Sequence, residues 1–355
     1  MRDRIPADAF DVTPALAALR ALPAFRNLAP DALEPAGFAG MAHDHLRLKG
    51  LGLVLRIPRV SQWALPAAVN LAYQAAAFRR AAPSGHTPRL YAVLPPSEPL
   101  PMGALLVEEI VGRKPRLPDD LPALAACLRA VHGLPLPHPQ ERRPLLSPDD
   151  PLGHVLRTIE TQATFLGRAG RADEAEAMLR EELAWARHFV TAAGHPPAPT
   201  TLILTDSHPG NFVIDAAGKA HFVDLEKAMY ANPAIDLAHA TLYTSTRFDP
   251  DIDTALTAEE TAAFYRDYLG RIGIELREAL RPWLLPLRRL VWLRTTTWCA
   301  KWRVESAGTD GWSRLRLDPR TRVHTEACIA DFFAPATIAR IRAEWLQGGG
   351  PMSLG

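Results

Sequence analysis

Apolar positions recur along this chain with two periods, and the changes of period mark its elements. The spacing from Pro14 to Leu22 predicts a short helix. In GFAGMAHDHLRLKGLGLVLRIPR, two alternating or apolar runs, His43 to Leu48 and Leu53 to Ile57, read as the arms of a β-hairpin around the turn KGLG. LPAAVNLAYQAAAFRRAAP is an Ala-rich helix that stops before Pro83. RLYAVL and GALLVEEIVG predict two more strands, the second reaching Gly112. Leu121, Leu124, Leu128 and Val131 form one stripe of an amphipathic helix. The region from Asp149 to Gly194 reads as helical, with Arg and Glu spaced for solvent-facing surfaces. Then TLILTD, NFVID and AHFVD are short strands joined by turn residues, and Pro233 to Leu346 is again mostly helical. The pattern predicts an α+β chain: a strand-rich lobe, residues 1–112, before a larger helical lobe, residues 113–355, that carries a β-hairpin.

Composition changes this picture little. A chain of 355 residues with 48% hydrophobic residues can bury the core of two lobes. Forty basic against 39 acidic residues give a net charge of +1, and no basic run stands out, so neither a nucleic-acid nor an anionic-membrane surface is expected. The first residues lack the apolar core of a signal peptide, and WLLPLRRLVWL is too interrupted by Pro286, Arg288 and Arg289 to span a bilayer. Cys127, Cys299 and Cys328 are odd in number and far apart, without metal or disulfide spacing. Buried reduced thiols in a cytoplasmic protein are the expectation.

The chemistry is concentrated in ILTDSHPGNFVIDAAGKAHFVDLEKA, from Ile203 to Ala228. Asp206 follows one strand, Asn211 lies five residues on, and Asp224 ends another strand. Short polar groups beside buried strands lose water unless a charged, well-coordinated partner replaces it. Phosphoryl transfer from ATP needs an acceptor for the nucleophile's proton and oxygen ligands for Mg²⁺. Magnesium takes carboxylate and amide oxygens and keeps several waters, so one Asp and one Asn suffice from the protein. Asp206 is the expected base, and Asn211 and Asp224 the expected metal ligands.

The stretch LTDSHPGNFVID…AHFVDLEKAMYANPAIDLA resembles the aminoglycoside phosphotransferase and choline kinase superfamily, small-molecule relatives of protein kinases. That family carries His-Gly-Asp, four variable residues and Asn, then Ile-Asp-x-Glu, then an Asp-Leu-Ala helix start. Asp206, Asn211, Asp224, Glu226 and Asp236 fall on its acidic and amide positions. The resemblance implies a bilobal protein-kinase-like fold with a small antiparallel-sheet lobe, and ATP- and Mg²⁺-dependent transfer to a small-molecule hydroxyl. It further places Arg56 at the phosphate-contacting Lys position, with Gln74 where the family's orienting Glu stands. Such an Arg–Gln pair would keep a hydrogen bond and lose the charge attraction. Backbone at Glu108 and Ile110 would contact adenine, and His132 would be a packed structural residue. Leu204 and Thr205 replace the family's His and Gly, and the phosphate-covering loop has only Gly37 and Gly40.

Other residues keep two readings. His208 is a turn residue or a substrate contact. Glu226 assists the metal through water, or lies at the surface or orients the loop. Asp236 is expected to cap the helix DLAHATLYTS. Trp298 and Trp302 share one stripe beside Trp292, either as a core or as an aromatic pocket for an ammonium acceptor. Arg294, Lys301 and Arg303 would equally suit an anionic acceptor. The rival to an enzyme is a nucleotide-binding pseudo-kinase with a regulatory role, favoured by Leu204, Gln74 and the thin glycine loop.

Overall fold

The computed structural model describes residues 11–36, 42–170, 172–193, 199–308 and 319–347. Gly37, Gly40 and most of the phosphate-covering loop lie outside the described residues.

The first part of the chain builds an antiparallel sheet. Its strands are β1 (Leu33–Pro35), β2 (His43–Leu48), β3 (Leu53–Pro58), β4 (Leu90–Leu94) and β5 (Ala104–Glu108), in the order β1-β2-β3-β5-β4. The predicted hairpin is β2–β3, with Leu46 opposite Leu55 and His45 opposite Arg56. Gly50 (φ 72°) and Gly52 (φ 62°) supply the left-handed conformations that so tight a connection needs. β5 stops at Glu108, short of the predicted Gly112. The chain there leaves the sheet, and Gly112 passes so close to Ile214 that a Cβ would sit 2.2 Å from its carbonyl oxygen. β1 has too few residues to show a period, and the sequence pattern did not reveal it.

The period-two alternation of β3 decides what each sheet face meets. Leu53 and Leu55 join Leu46, Leu48 and Leu106 against Ala15, Leu16 and Leu19 of α1 (Thr13–Arg20). Val54, with Leu105 and Val107, faces the other way, onto Leu71 and Phe78 of α2 (Ala67–Ala81). Arg56, two residues on from Val54, extends over the Phe78 ring, 5.6 Å from its centre.

The second core face continues into helices: α3 (Leu121–His132), α4 (Pro151–Ala163), α5 (Asp173–Ala193), α6 (Ala234–Thr241), α7 (Tyr243–Thr246), α8 (Ala258–Gly270), α9 (Ile274–Ser306), α10 (Pro319–Phe332) and α11 (Pro335–Leu346). Two short antiparallel pairs interrupt them. β6 (Thr201–Ile203) pairs with β9 (Met229–Ala231), and β7 (Phe212–Ile214) with β8 (Ala220–Phe222). Together they hold the segment from Leu204 to Ala228 between two fixed ends. The three cysteines are buried free thiols, as expected. No described helix is long and apolar enough to cross a membrane.

Candidate active site

Asp206, Asn211, Asp224 and Arg56 come together, although Arg56 belongs to the sheet and the rest to the loops around β7 and β8. Arg56 Nη2 donates to Asp224 Oδ1 at 2.6 Å, and Nη1 donates to the Val223 carbonyl at 3.0 Å. The Arg56 side chain is 6% exposed and that of Asp224 24%, so the carboxylate keeps contact with solvent while the guanidinium is buried behind it. Asn211 Nδ2 donates to the Asp206 carbonyl at 2.9 Å, which leaves its amide oxygen outside that bond. Lys227 Nζ donates to Asp206 Oδ2 at 2.8 Å, and His239 Nδ1 lies 3.7 Å from Oδ1. The spacing of acids in the sequence offered no signal for either partner.

The backbone before Asp206 is bent hard. Asp206 N–H donates to the Leu204 carbonyl at 2.7 Å, a γ-turn whose central residue, Thr205, has φ 66°. A β-branched residue at positive φ is a genuine outlier, kept only where the surroundings over-determine it. Here Asp236 provides that restraint. Fully buried, it accepts the Leu204 and Thr205 N–H groups, each at 2.7 Å, and Arg294 Nη2 donates to the Thr205 carbonyl at 3.0 Å. The expectation that Asp236 caps its own helix is therefore corrected. Pro233 precedes the first turn of α6, no side chain caps it, and Asp236 points back to the loop. His132 is the packed residue expected, between Tyr268 OH (2.8 Å) and Asp236 Oδ2 (3.0 Å).

The Arg56–Gln74 contact is also corrected. Gln74 Oε1 lies 3.1 Å from His43 Nε2, while Arg56 uses His45, Val223 and Asp224. A neutral carboxamide competes poorly with the Asp224 carboxylate for a guanidinium. Glu226 is 4% exposed, which removes its surface reading, and its Oε2 is 3.8 Å from His43 Nε2.

Electrostatics separates these carboxyls. Burial alone would raise Asp206, but the positive charges around it, Lys227 foremost, outweigh burial and hold it well below the usual carboxylate range. Burial keeps the nearby His208 and His239 imidazoles below their ordinary range, so Lys227 is the partner still charged near neutrality. Asp224 is likewise lowered: burial opposes, and the Arg56 guanidinium prevails. Glu226 goes the other way, pushed up to about 8 by burial and by the Asp224 charge. Burial, then Arg56, lowers His43 to about 4.

At the expected hinge, Glu108 N–H is spent on the Arg89 carbonyl at 2.9 Å. Among the described residues the Ile110 N–H has no protein partner. The tryptophans divide. Trp292 and Trp302 are core residues, 0% and 2% exposed, which retires them as a pocket wall. Trp298 is half-buried against Phe248, 5.7 Å between ring centres, and Phe248 in turn meets the His208 ring at 6.1 Å. Of the three expected cations, Arg294 reaches the loop, whereas Lys301 pairs with Glu305 on its own helix.

The model of the phosphotransferase enzyme family matches residues 42–283, more than half of the chain. Similar solved structures include a choline/ethanolamine kinase family protein from Mesorhizobium loti, 19% identical, covering 97% of this chain and 99% of that one with a TM-score of 0.56. Choline kinase from Cryptosporidium parvum Iowa II is 12% identical, with coverage of 96% and 97% and a TM-score of 0.61. The GDP complex of aminoglycoside 2'-phosphotransferase-IIIa is 15% identical, with coverage of 94% and 99% and a TM-score of 0.56. At such identities the likeness establishes the protein-kinase-like bilobal fold. No curated protein matches the chain.

Proposed function

This chain belongs to the phosphotransferase enzyme family, and from that membership we propose that it moves the γ-phosphate of ATP to a hydroxyl of a small molecule. The observation that carries the reading is the convergence of Arg56 with Asp224, at 2.6 Å, beside a loop that presents Asp206 and Asn211. In this reading the nucleotide binds between the strand-rich lobe, residues 1–112, and the helical remainder. The unpaired N–H of Ile110 and the Glu108 backbone face adenine, and Arg56 meets the donor phosphates bidentately.

Asp224 and Asn211 suit Mg²⁺ by donor type: one carboxylate, and one amide oxygen left over once its nitrogen is used by Asp206. The bound nucleotide would supply the phosphoryl group, and its metal would offset phosphate charge. Asp206 orients the acceptor hydroxyl and takes its proton. Lys227 keeps that carboxylate ionised and fixed. So acidic a carboxylate is a weak base, which suits phosphoryl transfer that depends mainly on positioning.

A nucleotide-binding regulator without turnover is the second reading, and one observation favours it: Gln74 serves His43 and leaves Arg56 without a helix-borne hydrogen-bond acceptor. Two variants decide, assayed against a panel of amino alcohols, amino sugars and sugars. Asp206→Asn should keep Mg²⁺-dependent thermal stabilisation by ATP while transfer falls about 10²–10⁴-fold. Asp224→Ala should lose most of both. Wild type stabilised by ATP but silent with every acceptor, and no different from Asp206→Asn, would establish the regulator instead.

A further inference from the structure

Next to Asp224 the fold assembles a second set of metal-ligand atoms, one of them a nitrogen. One ligand atom each of His43, Glu226 and Asp224 lies within 4.8 Å of the others, and His43 Nε2 is 3.8 Å from Glu226 Oε2. Gln74 Oε1 is 3.1 Å from the same His43 nitrogen. Two donors 3.8 Å apart, as His43 and Glu226 are, subtend roughly 120–130° at an ion about 2.1–2.2 Å from each, an angle open to four- or five-coordinate ions. The His43–Gln74 separation corresponds to roughly 95° on the same basis. The four side chains come from β2, α2 and the segment after β8, so an ion there would join the sheet to the helical half.

Burial makes this more than an acidic cluster. Glu226 is 4% exposed, and among the described residues its Oε2 has no hydrogen-bond partner. Gln74 is 0% exposed, and its amide nitrogen is also without a partner. Buried polar atoms are nearly always satisfied, and an orphan carboxylate oxygen aimed at an imidazole is costly. Asp224 keeps one oxygen on Arg56, so the other remains for a ligand. With its proton on Nδ1, His43 offers an Nε2 lone pair, and the hydrogen bond to Gln74 becomes shared ligation.

We propose that His43, Gln74, Glu226 and Asp224 form a binding site for a first-row transition-metal dication. An imidazole nitrogen suits Mn²⁺, Co²⁺ or Zn²⁺, whereas Mg²⁺ takes oxygen ligands and its own waters. The site shares Asp224 with the proposed function and rests on that reading for this ligand alone; it needs no nucleotide.

The test is a Co²⁺ titration of the full, tag-free chain without nucleotide, followed by visible absorption and equilibrium dialysis. One Co²⁺ per chain is expected, displaced by Zn²⁺ and not by millimolar Mg²⁺. His43→Gln and Glu226→Gln should each weaken binding more than about tenfold, with circular dichroism confirming the fold. Asn211→Ala should leave Co²⁺ affinity unchanged, because Asn211 is no part of this set. No Co²⁺ bound by wild type, displacement by Mg²⁺, or wild-type affinity in both His43→Gln and Glu226→Gln overturns the proposal. Absence of ATP-dependent transfer alongside a Co²⁺ site that behaves as described removes the phosphotransferase reading and leaves the metal site standing.

Discussion

Thr205 carries two local costs at the centre of the candidate site. Its φ of 66° belongs to the left-handed region, and its buried hydroxyl has no hydrogen-bond partner. The conformation costs a residue with a Cβ about 1–2 kcal/mol, and an unsatisfied buried hydroxyl costs about 1–3 kcal/mol. Glycine removes both and gives back about 0.5–1 kcal/mol through the greater freedom of the unfolded chain. The N–H to Asp236 and the carbonyl to Arg294 belong to the backbone and survive the change. Thr205→Gly should therefore raise stability by at least about 1 kcal/mol, read as a higher urea midpoint at unchanged slope. An unchanged or lower midpoint would mean that the packing of the Thr205 side chain outweighs the strain. The family-like pattern has Gly at this position, so the structure gives a physical reason for that preference and for treating Thr205 as a strained substitute.

At the scale of elements, α6 is fastened to the Asp206 loop chiefly by the Asp236 side chain, with the Ser207 hydroxyl donating to the Asp236 carbonyl. Asp236 accepts two backbone N–H groups and the His132 ring, all buried. Asp236→Ala leaves these donors without partners, at about 1–3 kcal/mol for each group stranded. A loss of at least about 3 kcal/mol is expected, with a smaller loss in Asp236→Asn, which keeps one acceptor oxygen; urea unfolding of both variants measures it. Equal loss in the two would show that charge, and not acceptor count, holds the loop. This role was not legible in the sequence. An Asp near the start of a helix gives the same local signal whether it caps that helix or reaches back to another segment. The elements with long periods were legible: the β2–β3 hairpin, α2 and α3 stand where alternation and apolar stripes put them. β1 and β9, of three residues each, have no room for a period and form only because a partner is beside them, the longer β2 for β1 and the equally short β6 for β9. The family resemblance was readable from Asp206, Asn211 and Asp224 because loop spacing lies within one stretch of chain. Lys227, three residues past Asp224, gave no sign of meeting Asp206, and His43 and His239 escaped because only the fold brings them to those carboxyls.

For the whole molecule, the contact that matters is the one between its halves. Arg56 reaches from β3 to Asp224 and Val223, across 168 and 167 positions of sequence. It has two possible duties: a strut that holds the halves together, and a receptor for donor phosphates. They can be separated. Removing one partner of a buried pair leaves the other charge uncompensated, at about 3–5 kcal/mol when both are fully buried. Asp224 is 24% exposed, so water recovers part of this, and Arg56→Ala should cost about 2 kcal/mol on the same scale. Asp224→Asn strands the more deeply buried Arg56 guanidinium and should cost at least as much, although its amide oxygen still accepts a hydrogen bond, and the double variant should fall short of the sum, the signature of a coupled pair. The second duty appears only with ligand. Binding at one hundred times Kd stabilises the native state by about 2.7 kcal/mol. If Arg56 holds donor phosphate, Arg56→Ala should lose most of the thermal shift that Mg²⁺–ATP gives wild type, while Arg56→Lys keeps a part, since charge survives without the fork geometry. A destabilised Arg56→Ala protein with the full nucleotide shift would make Arg56 a strut alone, and the donor phosphates would then need another cation, of which Lys227 is the nearest to Asp206.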